Sequence, residues 1–468
     1  MDFTKANKTI SFKAFFHKYY VNYVLYRVMQ RLPSIMDGCI QTHRKIIYTC
    51  LDKGITNKTK VADLASIVSL HTKYHHGVGS IESAIANMVP LFANNIPLLK
   101  EDGAYGSRAN RTASAPRYIE TRLYPHSSLI FNKLDNDNFT ISQVTENKKI
   151  EPQSLIAALP MLLINGMEQI GVGYSCKILP RDPFEIIKLL KSILKGECKS
   201  IPTEIQVKHW GYKGKVDYIA KTDSWQYVGV ISELPKKILR IHEVPFKYTS
   251  ETFIKKLESL ITTNVVKKYT ERILGNTFEI DVTFNDPDKY LGKNYNEAKL
   301  LKMFGLISNQ SENLSALDVD NNIKVYDNVG QILYEYVVYM LGVYSKRKDL
   351  IIENMEKNIV KYTNRAKFIQ LVNDDIIKAK GKKKKEIEEE LVKHGFELLD
   401  DSYDYLTQLP YISLTLDKIE ELVLKIDTLQ KEIELMKLET KATLWLKDIE
   451  EIEKNIVKDL PWQQKGKK

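Results

Sequence analysis

Cysteine is scarce: there are four in 468 residues (Cys39, Cys50, Cys176, Cys198), with no C-x-x-C pair and no metal-ligand spacing. That excludes a disulfide-stapled secreted scaffold and a structural zinc module, and fits reduced thiols in a cytoplasmic protein. No apolar run approaches the ~20 residues of a membrane span. The opening stretch MDFTKANKTISFKAFF has no apolar signal core. A glycine-rich nucleotide loop is missing, and so are internal repeats and long low-complexity linkers. Acidic residues are in the minority, with 69 Lys+Arg against 59 Asp+Glu leaving a net +10. An excess of this size over a long chain permits a polyanion partner without requiring one.

What is present divides the chain into three textures. Up to about residue 145 it reads mainly as helices. KVADLASIVSLHTKY and SIESAIANMVPLFANN are amphipathic segments joined by HHGVG, with Ser80 the expected N-cap of the second. Helix, glycine turn and helix beside basic residues suit a helix-turn-helix or winged helix, and also plain helical packing. From about 150 to 328 strands appear. WQYVGVISEL, ILRIHEVPF and NTFEIDVTF surround a helix with Asp182 as cap, Pro183 at its first position and Gly196 past its end. LDVDNNIKVYD reads as a hairpin. The last third is helical. Ile419, Leu422, Ile426, Leu429, Ile433 and Met436 repeat with coiled-coil spacing, and Ile332, Tyr336, Tyr339 and Val343 offer a partner stripe. Residues 362–416 are expected to fold as a globule at the coil's tip, where Lys382–Lys385 form a solvated loop leading into a helix.

Chemistry is suggested at ASAPRYIETRL. A tyrosine attacking a phosphodiester needs positive charge at the developing oxyanion and a group to take the phenolic proton. Arg117 beside Tyr118 supplies the nucleophile and the charge, with the planar fork that matches phosphate. His75-His76 before Gly77, and His43-Arg44-Lys45 after Gly38, are further candidates for a base and for phosphate contacts. Each cluster alone is weak.

In this order they are specific. LPSIMDG…HRKIIYTC, KVADLASIVSLHTKYHHG and SAPRYIETRL together resemble the breakage-reunion part of type IIA DNA topoisomerases. The resemblance extends through LPMLLINGMEQIGVGYSCKILPRDPFEI and YDYLTQLPYISLTLDKIEEL to about residue 455. A chain of this length is most similar to the medium subunit of T-even-like phage topoisomerases, which would act in the host cytoplasm.

The resemblance implies a multidomain α+β fold. Residues 1–145 would be a winged-helix cleavage domain, 146–328 an α/β tower and 329–361 with 417–455 the arms of an antiparallel coiled coil. Residues 362–416 would be a dimerisation globule and 456–468 a basic tail. It implies that Tyr118 is the nucleophile forming a 5′-phosphotyrosyl link, Arg117 its charge stabiliser and His76 a base or hydrogen-bonding group. His43, Arg44, Arg31, Lys45, Lys73, His75 and Arg108 would lie along the DNA, with Ile170 wedged between base pairs. The family's lysine and proline after the DG pair are Ile40 and Gln41 here, and its arginine before the x-I/L-P motif falls on Gln30, one place before Arg31.

It also implies Mg²⁺ in a Toprim domain and ATP in an ATPase domain. The D-x-D considered for the metal, Asp318-x-Asp320, sits in the expected hairpin, so both groups are expected from partner subunits. Cutting both strands calls for two Tyr118 residues and hence a homodimer on double-stranded DNA. The competing readings are a tyrosine recombinase or type IB-like nicking-closing enzyme, and a non-catalytic dimeric winged-helix DNA-binding protein.

Overall fold

Three helices form where apolar residues recur at helical spacing: Gln41–Asp52, Val61–His71 and Val78–Met88. Ile46, Ile47, Leu64, Val68, Ile81 and Ile85 are fully buried among them, each contributing about 1.5–3 kcal/mol of transfer free energy. A small antiparallel sheet closes the bundle, with Glu120–Leu123 between Thr59–Lys60 and Leu99–Asp102. This is the expected winged helix. One detail differs, because the third helix starts at Val78 with Gly77 as its extended N-cap. Ser80 lies inside the first turn, where its hydroxyl donates back to the Gly77 carbonyl at 2.8 Å. The computed structural model describes residues 10–460 except 274, 379–381 and 400. Part of the expected basic tail, 461–468, therefore lies outside the described residues.

The α+β region follows. Asp182 accepts from Phe184 N at 2.9 Å, Pro183 opens the helix Pro183–Leu194, and Gly196 ends it with φ +73°. A four-stranded antiparallel sheet, ordered Val230–Leu234, Ile238–Glu243, Ile280–Phe284 and Val266–Glu271, carries the core Ile241, Phe253, Leu257, Ile280, Val282 and Phe304. The alternation at Phe278, Ile280, Val282 and Phe284 is real, for all four are buried. WQYVGVISEL is not one strand. Gly229 divides it, because a Cβ there would meet Glu243 O at 2.5 Å. Ser224–Val228 pairs instead with Lys215–Ile219 and Ile307–Gln310 in a second sheet. The hairpin Ser315–Leu317/Ile323–Val325 forms as expected, with Asp318 Oδ1 accepting from the amides of Asp320 and Asn322 at 3.0 and 2.7 Å.

The residues up to Met340, with those from Leu446 on, form one compact unit; Leu341–Trp445 form a second. The boundary falls inside the long helix Val329–Asn373. The stripe Ile332–Val343 is therefore not a coil seam over most of its length. Tyr336 is buried in the first unit, where its hydroxyl donates to Ala157 O at 2.6 Å. In the second unit the expected heptad is present. Along Leu416–Leu438 every seam position from Ile419 to Met436 is buried or half-buried, while the residues between them from Glu420 to Leu435 are exposed. Lys348 Nζ donates to Lys437 O at 2.9 Å, while Lys361 and Arg365 further along the long helix line one cavity with Lys418 and Leu422 of Leu416–Leu438, so the two helices run antiparallel. Phe368, Ile377, Leu391, Phe396, Tyr403 and Leu406 form the globule's core. A helix follows as expected, but it starts inside the lysine run: Lys384–Lys393, with Lys383 as N-cap, so Lys384 and Lys385 are helical rather than loop. Among the described residues no helix is long and apolar enough to cross a membrane.

Candidate nucleic-acid interface

Tyr118 stands at the exit of a loop that is closed on itself. Ser114 N donates to Ala104 O, Ser107 N to Asn110 O and Tyr118 N to Ala115 O, at 2.9, 2.7 and 2.9 Å. The buried Tyr105 hydroxyl donates to Glu120 O at 2.9 Å. Gly106 turns the loop with φ +87°, and a Cβ there would lie 2.7 Å from Asn110 O, so glycine is required. Past the loop, Pro116 O and Ile119 O accept from Ala62 N and Val61 N at 3.3 and 3.0 Å, fastening it to the second helix. The outcome is a phenol 71% exposed on a fixed backbone, with the Arg117 guanidinium 4.9 Å from its ring centroid. A permanent cation thus lies beside an exposed phenol.

The turn between the second and third helices holds His75 and His76, both exposed. Tyr74 shapes it, with its ring edge-on to His76 and its hydroxyl 2.9 Å from Ser80 Oγ. Lys73, in the left-handed region at φ +50°, pairs with Glu146 at 2.8 Å, a weak surface contact. Across the fold, the hairpin Met167–Ile170/Ser175–Ile178 presents Ile170 at its end with 81% of its surface exposed. The hairpin's Gly171 lies against Val28 and Arg31. Arg31 is exposed, whereas Gln30 is half-buried and accepts from Arg27 at 3.3 Å. The exposed cation of this stretch is thus Arg31.

Loop and hairpin border one concavity of about 1140 Å³. Its walls include Tyr105, Arg111 and Ala113 of the loop, Gln169 and Lys177 of the hairpin, and also His43 and Lys247. Arg111, Lys177 and Lys247 were missed in the sequence because they are far apart there. Only Arg111, in RANRTASAPR upstream of Tyr118, gave a local signal.

Three residues expected on the DNA are enclosed instead. Arg44 Nε lies 2.6 Å from Asp37, which also accepts from the amides of Cys39 and Leu155. Lys45 lies 2.7 Å from Glu151 and donates to Thr72 O. Arg108, fully buried, pairs with Glu243. Each charge is neutralised away from solvent, so these side chains hold the fold rather than a phosphate. His43 lines the concavity, but burial and then the neighbouring Arg44 push its pKa down to about 4. It is a neutral hydrogen-bonding group near neutrality, not a cation.

A profile of the family described as DNA gyrase/topoisomerase IV (A-subunit) matches residues 31–450. The DNA topoisomerase 2 of Plasmodium falciparum (isolate K1 / Thailand) is 32% identical over 96% of the chain and 35% of its own length. That of Saccharomyces cerevisiae is 31% identical over 83% of the chain and 27% of its own length. The chain thus spans about a third of these eukaryotic relatives. The crystal structure of the Plasmodium falciparum topoisomerase II DNA-binding, cleavage and re-ligation domain superposes with a TM-score of 0.87. Identity there is 30%, over 98% of this chain and 66% of that one. The chain therefore belongs to the DNA gyrase/topoisomerase IV family of cleavage proteins and has the type IIA breakage-reunion fold.

Proposed function

We propose that the chain cuts and reseals duplex DNA, so that a second duplex passes through the break and DNA topology changes. The observation that carries this is the exposed Tyr118 with Arg117 over its ring, on a rigid loop bordering a concavity whose walls include Arg111 and Lys247. Tyr118 Oη attacks a backbone phosphorus, the P–O3′ bond breaks, and a 5′-phosphotyrosyl ester and a 3′-hydroxyl result. The phenolic proton passes to a base, for which the exposed His76 is the candidate, and the departing 3′ oxygen takes up a proton. Arg117 neutralises the charge gathering on the non-bridging oxygens. Attack by the 3′-hydroxyl on the ester reverses each step. Ile170 enters between base pairs and bends the duplex, with Arg31, Lys73, His75 and the hydrogen-bonding His43 contacting its backbone.

Two copies are needed to cut both strands, and a homodimer with two-fold symmetry is the simplest arrangement. Mg²⁺, when bound, supplies additional charge neutralisation at phosphate. The described residues do not fit it: Asp318 is engaged by two backbone amides, and no group of three or more candidate ligands occurs among them. We assign the metal to a Toprim module and ATP to an ATPase module outside these residues. Placing those modules on separate subunits, as in T-even-like phage enzymes, rests on the sequence resemblance alone. It is tested by what co-purifies with the chain. The same reading puts the enzyme in the compartment holding its DNA, the host cytoplasm if phage-encoded. Replacing Tyr118 with Phe separates cleavage from mere binding. DNA binding survives and covalent adduct is lost if the proposal holds; unchanged cleavage overturns it.

A further inference from the structure

Arg108 lies ten residues before Tyr118, at the tip of the same loop, yet its side chain is buried in the α+β region, behind the Phe246 wall of the concavity. Its guanidinium donates to Glu243 at the end of Ile238–Glu243 and to Val244 O. It also lies over the rings of Tyr212, Phe246 and Phe278, at 5.1, 5.5 and 4.9 Å. Glu243 is itself held, accepting from Lys213 N and Val244 N at 3.0 and 2.9 Å. The backbone repeats the grip. Arg108 N donates to Asn276 Oδ1 at 2.8 Å, and Ser250 N donates to Ala109 O at 2.9 Å. Ala109 belongs to the hydrophobic core of the four-stranded sheet. The loop that delivers the nucleophile is therefore anchored at its tip in another part of the fold.

We propose that Arg108 is a positioning residue for cleavage. Its ion pair with Glu243 sets where the loop, and hence Tyr118, stands relative to DNA lying along the α+β region. The inference rests on Tyr118 being the nucleophile. Between the tip and Tyr118 the loop has little slack, being cross-linked at Ala104–Ser114 and Ser107–Asn110, so a shift at Arg108 is passed to Tyr118. Small misplacements of a reacting group lower rates steeply. Because Arg108 is fully buried and is not itself a wall residue of the concavity, its loss removes no phosphate contact of its own.

The test uses the enzyme reconstituted with its metal-binding and ATPase modules, and compares wild type with Arg108→Gln, Arg108→Lys and Glu243→Gln. The expected result is a single-turnover cleavage rate at saturating DNA about 10- to 100-fold lower for Arg108→Gln and Glu243→Gln, with DNA affinity within a few-fold of wild type. Arg108→Lys, which keeps the charge, should recover part of the rate. Thermal melting identifies variants that have not folded. If Arg108→Gln is unfolded, Glu243→Gln, which leaves the arginine in place, decides. A folded variant cleaving at the wild-type rate overturns the positioning role, as does a rate loss fully matched by lost DNA affinity. If wild type forms no adduct at Tyr118, the proposed function itself fails, whatever the Arg108 variants do.

Discussion

Arginines expected alike on the DNA have opposite surroundings here, and burial separates them. Arg117 and Arg31 face solvent, while Arg44 is closed in by Asp37 and the Cys39 carbonyl. Removing one partner of a buried pair strands the other charge, at a cost of about 3–5 kcal/mol. Arg44→Met should therefore lower stability by that order in urea unfolding while leaving the salt dependence of DNA binding unchanged; a flattened salt slope with unchanged stability would return Arg44 to the DNA. For Arg117→Ala the opposite split is expected. Melting should be unaffected, and cleavage should fall about 10²–10³-fold, as for removal of one transition-state donor. A nearly unchanged rate in a quench-flow cleavage assay would deny it that role.

At the level of elements, the hairpin bearing Ile170 is built to present one apolar side chain. Four paired residues per strand fix the register, and Gly173 at φ +77° turns the chain. Ile170→Ala should leave folding intact and reduce the bend imposed on bound duplex, read by energy transfer between end-labelled DNA, since partial unstacking is worth a few kcal/mol per step. An unaltered bend would make the residue a bystander. Much of the elements' identity was legible in the sequence. The heptad from Ile419 to Met436, the Asp182-Pro183 cap and the alternation ending at Phe284 are local patterns, and they survive folding. What was illegible depends on distant neighbours. Gly229 breaks a strand because Glu243 O approaches it, and the stripe from Ile332 joins the first unit because Ala157 offers Tyr336 an acceptor. The same limit hid the fate of Arg108. Nothing near GSRAN in sequence announces Glu243, 135 residues on.

Over the whole molecule, burial of histidines couples stability to acid, most strongly at His209 and His43. His209 stacks on Phe246 with ring centroids 3.7 Å apart, and burial, Arg108, Arg111 and Arg181 push its pKa down to about 3. His43 is pushed down to about 4. The unfolded chain binds these protons near pH 6.5, so it holds more protons than the native state below that value. Stability is fully present above about pH 6.5 and falls as pH drops towards 4, by up to about 1.4 kcal/mol per pH unit for each histidine. His209→Gln should flatten that slope in urea unfolding across this range; an unchanged slope would contradict the assignment. The account as a whole depends on a phenolic ester to DNA at one position. The most direct measurement traps the cleaved complex of the reconstituted enzyme, digests the protein and DNA, and sequences the nucleotide-bearing peptide. The account predicts a nucleotide joined through its 5′ phosphate to Tyr118; attachment to another side chain, or through a 3′ phosphate, would contradict it.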